Sequence, residues 1–244
     1  MIQADLARPP ASTYKTDMSR LYDFKHCSDV DLIFKGSVFP VHRAILSARC
    51  PYFREVLSKC PGYGAQIHID IRRVNIDTSM FSALLRYLYT GDFGTNEKSF
   101  RIINVDLLIQ LGDEFGSPNS LESDLRYLFD SGDYSDCVLV FSSDGEESAR
   151  HSGAGSSEGS SQSDYGFGHK LELPCHKAVL SARSSFFRNL IQRRLRSAEE
   201  LSERALHTPT KIILDETVIP RRYAKVLLHT IYLVSFLVFQ TAGA

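Results

Sequence analysis

The chain has no Walker loop, no His-Glu-x-x-His pair and no dinucleotide fingerprint. Each of those patterns sets a reactive or phosphate-binding group where its chemistry needs it, so nucleotide-handling enzymes, zinc proteases and dehydrogenases are not signalled. Neither sign of charge is in excess: 28 Lys and Arg stand against 29 Asp and Glu. Nothing global therefore draws the chain to nucleic acid. No Cys-x-x-Cys pair occurs, and the cysteines, Cys27, Cys50, Cys60, Cys137 and Cys175, are odd in number. That usage predicts reduced thiols in a nuclear or cytoplasmic protein. His26-Cys27 and Cys175-His176 are adjacent pairs rather than metal-ligand spacings, so no zinc and no cofactor is expected. The start of the chain lacks a basic segment followed by an apolar core, and no secretory signal is expected.

What the chain does have is one motif used twice. Ser28-Asp29-Val30-Asp31-Leu32-Ile33-Phe34 is followed by Val41-His42-Arg43-Ala44-Ile45-Leu46-Ser47-Ala48-Arg49 and then Phe53. Ser135-Asp136-Cys137-Val138-Leu139-Val140-Phe141 is followed by Cys175-His176-Lys177-Ala178-Val179-Leu180-Ser181-Ala182-Arg183 and then Phe187. Val30, Leu32 and Phe34 alternate with Asp31, Ile33 and Lys35, which is strand periodicity, and Cys137, Leu139 and Phe141 hold the same places. After His42 the spacing becomes helical, with Ala44, Ile45 and Ala48 on one face and Pro51 ending the turn. A repeated unit carries the function, so the function is to be read from that unit.

These residues, with Met80–Gly91 ending in Tyr87-Leu88-Tyr89-Thr90-Gly91, resemble the BTB/POZ domain family. The resemblance implies an α+β fold in which a small sheet is covered by a helical cluster, present here as two tandem copies. It implies a non-enzymatic interaction scaffold that pairs with itself as a homodimer or with other BTB proteins, and in many members docks onto cullin-3 as a ubiquitin ligase adaptor. It places Asp29 and Arg49, and their matches Asp136 and Arg183, near the pairing surface. His42, His176, Tyr87, Tyr89 and Gly91 are then residues of the structural motif. Two features limit the cullin-3 reading. The hydrophobic-x-Glu contact has no match in Lys59–Gln66, and Leu201-Ser202-Glu203 stands at an unsuitable distance from the Lys211–Leu214 strand. A transcriptional or signalling regulator not linked to cullin-3 is the alternative.

Four regions are expected. Residues 1–17 read as a flexible lead-in, with a short helix over Met18–Phe24. Residues 18–131 form a complete first unit. In it Ile67, Ile69 and Ile71 predict a strand, Asp77 an N-cap, and Met80, Phe81, Leu84, Leu85 and Leu88 an apolar helix stripe. Val105, Leu108 and Ile109 mark a further helix, and Pro118-Asn119 with Glu122 a capping box ahead of Leu121, Leu125 and Leu128. Residues 132–233 form the second unit. It is interrupted at 144–170 by seven serines and six glycines, which predict a disordered loop, and it lacks the closing helices. Residues 234–244 are an atypical apolar tail.

No Lys, Arg, Asp or Glu follows Lys225, so an uncharged stretch approaches membrane-spanning length. Val226–Leu233 is already accounted for as the core helix of the second unit, which leaves only Val234–Phe239 as new apolar sequence, and a tail anchor is the lesser reading. Val234-Ser235 is also how an in-frame splice donor is translated, so read-through of an intron or a shortened isoform is expected there. Arg193, Arg194 and Arg196 are followed by Glu199, Glu200 and Glu203, which reads as a solvated mixed-charge helix rather than a nucleic-acid patch. Neither a nucleic-acid partner nor a small-molecule substrate is expected. His42 and His176 are read as helix-start histidines, bonded to Asp29 and Asp136, rather than as general bases.

Overall fold

A computed structural model describes residues 13–60, 62–71, 75–91, 115–116, 120–141, 171–196 and 208–233. The predicted alternation becomes two three-stranded sheets of the same order. In the first half β1 (Val30–Phe34) lies between β2 (Ser37–Val41) and β3 (Ala65–His68). In the second, β4 (Cys137–Phe141) lies between β5 (Leu171–Cys175) and β6 (Thr210–Leu214). Each central strand is antiparallel to its first neighbour and parallel to its second. β1 and β2 are joined by Lys35 and Gly36, both at positive φ (47° and 78°), as a two-residue hairpin turn requires.

Helices cover these sheets. In the first half α1 (Tyr14–Phe24) precedes β1, α2 (Arg43–Arg49) and α3 (Pro51–Ser58) follow β2, and α4 (Thr78–Thr90) follows β3. In the second half α5 (Leu121–Ser131) precedes β4, α6 (Lys177–Arg183) and α7 (Ser185–Arg194) follow β5, and α8 (Ala224–Tyr232) follows β6. Extended backbone at Cys50 separates α2 from α3, and Pro51 opens α3, where its missing N–H costs nothing. Asp77 caps α4 as expected, its carboxylate accepting the Met80 N–H at 2.7 Å. All five residues of the α4 stripe are buried, and each such side chain contributes roughly 1.5–3 kcal/mol of hydrophobic stabilisation. Buried side chains of both halves form one continuous core.

The structure departs from the expected elements in three places. The strand expected over Ile67, Ile69 and Ile71 is β3 at Ala65–His68, so only Ile67 lies within it, and Ile69 follows with its N–H donated to the Ile33 carbonyl at 2.9 Å. α1 begins at Tyr14 rather than Met18, because Tyr14 is buried and Asp17 is held by an ion pair. The side chain that caps α5 is Ser120, which accepts the Ser123 N–H at 3.2 Å. The expected helix at Val105–Ile109, the insert 144–170, Leu201-Ser202-Glu203 and the tail 234–244 lie outside the described residues.

Candidate protein-interaction site

The polar residues singled out by the repeat are built into the fold twice, in matching geometry. His42 stands before α2 with extended backbone. Its Nε2 lies 2.7 Å from the His26 carbonyl oxygen. A carbonyl only accepts, so Nε2 carries the hydrogen and Nδ1 is the acceptor. The Tyr89 hydroxyl therefore donates to Nδ1 at 2.7 Å, and its oxygen accepts the His42 backbone N–H at 2.9 Å. His176 repeats this with the Asp133 carbonyl at 2.8 Å and with Tyr232 at 2.7 and 2.9 Å. Burial pushes both imidazoles down to about 4, so they are neutral at pH 7. With both nitrogens engaged, neither ring is free to act as a base.

The bonds expected from these histidines to Asp29 and Asp136 are not made. Asp29 instead accepts the Arg43 backbone N–H at 2.8 Å, and Asp136 accepts that of Lys177 at 2.7 Å, so each aspartate serves the first N–H of a helix. Burial pushes the Asp29 carboxyl up to about 7. The Arg43 N–H opposes that rise and the Asp136 charge from the other half adds to it. Tyr87 is partly buried against the core. Its carbonyl accepts the Gly91 N–H at 2.8 Å, where Gly91 ends α4 at a positive φ of 68°.

Arg49 and Arg183 are buried and span the two halves. Arg49 donates from Nε to the Leu88 carbonyl at 2.9 Å and from Nη1 to Asp124 of α5 at 2.5 Å. Arg183 donates from Nε to the Ile231 carbonyl at 3.1 Å and from Nη1 to Asp17 of α1 at 2.7 Å. Its guanidinium also lies 4.8 Å from the centre of the Tyr14 ring. Asp17 and Asp124 are the site residues that the sequence reading missed. Their signal was present: the numbering offset that carries Val30 onto Cys137 also carries Asp17 onto Asp124 and Leu21 onto Leu128.

Among the described residues no group of three or more His, Cys, Asp or Glu is placed to hold a metal ion. No helix among them is long and apolar enough to cross a membrane. One string with nucleophile-elbow spacing, Gly155-Ser156-Ser157-Glu158-Gly159, falls outside the described residues. Its Ser- and Gly-rich surroundings lack the strand-then-helix pattern that an elbow needs.

A family model for the BTB/POZ domain matches residues 18–124 and 163–234. The chain belongs to the BTB/POZ domain family. It is 54% identical over 231 residues to human BTB/POZ domain-containing protein 7, a match that covers 95% of this chain and 19% of that protein. The chain thus spans about a fifth of the length of the curated relatives it matches first. It is 27% identical over 140 residues to Kelch-like protein 40 of Xenopus tropicalis, covering 57% of this chain and 22% of that one. Among solved structures, the BTB domain of human gigaxonin is similar at 24% identity and a TM-score of 0.32, covering 43% of this chain and 80% of that one. BTB domains mediate protein–protein interaction, and the α+β content of this chain fits that family.

Proposed function

We propose that this chain is a non-enzymatic scaffold of two tandem BTB units and that it serves as a cullin-3 ubiquitin ligase adaptor. The observation that carries the scaffold reading is the use made of the repeated polar residues. His42, His176, Asp29, Asp136, Arg49 and Arg183 each make side-chain hydrogen bonds inside the fold. What remains for function is surface. A Kelch-like relative supports the adaptor reading. The proposed place of work is the nucleus or the cytoplasm, in keeping with five cysteines that are all thiols.

A pull-down with the cullin-3 N-terminal domain tests the adaptor reading. Capture of the full chain at micromolar concentration is the expected result. The missing hydrophobic-x-Glu contact in Lys59–Gln66 favours a second reading, a transcriptional or signalling regulator that works without cullin-3. An empty pull-down selects it.

A further inference from the structure

We propose that this chain folds as its own pair, with α1 of the first half seated on the second half and α5 seated on the first. One molecule then fills the surface that a second copy would otherwise occupy. The proposal rests on reading the halves as tandem BTB units.

The first argument is that α5 stands to the second sheet as α1 stands to the first. α1 ends at Lys25 and α5 at Gly132, both left-handed (φ 56° and 66°), and each donates its N–H back to the helix, to Leu21 and Leu128. Cys27 and Tyr134 follow, each at φ 59°. The carbonyls of His26 and Asp133 then receive the two imidazoles. Within its own half each helix lays one ring on the tyrosine that donates to the imidazole. Tyr22 lies 5.3 Å from Tyr89, and Phe129 lies 5.2 Å from Tyr232.

The second argument is reciprocity. Asp17 of α1 reaches Arg183 of α6, and Asp124 of α5 reaches Arg49 of α2. Residue i meets j while the counterpart of i meets the counterpart of j, which is the contact pattern of a two-fold interface. In homo-oligomers that pattern links two chains; here it closes within one. The side chains of both arginines are at most 1% exposed and those of both aspartates at most 13%. Lifting α1 off α6, or α5 off α2, with nothing put in its place would strand buried charges, which is strongly destabilising. Cys27 after α1 and Ser181 of α6 meet at the same seam, Sγ to Oγ at 4.0 Å.

That last contact supplies the test. The same contacts arise if two chains exchange helices, and a covalent link separates the cases. Ser181→Cys in the full chain sets a thiol opposite Cys27, and the Cys27→Ser/Ser181→Cys double variant is the control. After mild oxidation at micromolar concentration, the expected product is a disulfide between Cys27 and the introduced thiol within one chain. It is located by peptide mapping, outweighs any two-chain product at least tenfold, and is absent from the control. Light scattering of the unmodified chain then gives 27.4 kDa, the mass of one chain. A link that joins two chains, no link at all, or a two-chain mass overturns the proposal. Because no partner is present, the outcome is independent of the cullin-3 pull-down.

Discussion

Asp29 shows how a single buried carboxylate ties this fold to pH. Its folded value of about 7 lies above the ordinary 3.8, so its stabilising contribution is present at low pH and is lost as pH rises through 7. His42 and His176 act in the opposite direction. Held near 4 against an ordinary 6.5, they lose stability as pH falls from 6.5 toward 4. Asp29→Asn keeps an acceptor for the Arg43 N–H and removes the charge. Relative to the natural chain, the variant is expected to gain little at pH 4 and on the order of 2–4 kcal/mol by pH 8. Urea unfolding across that range checks it, and a gain independent of pH would show that Asp29 is not the titrating group. The partners of the histidines were not legible in the sequence. Tyr89 lies 47 residues from His42 and Tyr232 lies 56 from His176, and only the folded helices bring them into reach.

At the scale of elements, α1 and α5 carry the most information per residue. Asp17→Ala leaves the Arg183 guanidinium buried without its carboxylate, and a loss of about 3–5 kcal/mol is expected. The Asp17→Leu/Arg183→Met pair is expected to recover most of it, because apolar partners of similar size fill the space without stranding a charge. Urea titration of the three proteins decides; equal damage from the single and the double variant would argue that α1 docks through its apolar face alone. The strands, the stripe of α4 and the Asp77 cap were readable because period and capping are local properties. The start of α1 was not. Tyr14 and Asp17 are ordered by Arg183, far along the chain, and no local rule reports such a partner. A comparison of Asp17 with Asp124 along the repeat was the one route to it, and α5 was read only as a helix completing the first unit.

For the whole molecule, one continuous core and two exchanged helices predict a single cooperative unfolding transition. The chain has no tryptophan, so a tryptophan introduced in either half reports on that half alone. Tyr63→Trp and Tyr223→Trp, both at exposed positions, are expected to give coincident denaturation midpoints. Two separated midpoints would mean that the halves melt independently. The seam has a further consequence for how such a chain changes over time. Where two identical chains pair, every substitution is felt on both sides at once, and a change good for one face must also suit the other. Fusion removes that constraint. Tyr14 already stands where the repeat has Leu121, and Lys25 where it has Gly132. Each side is free to drift alone, and a once-symmetric joint can become a pair of different surfaces without ever being taken apart.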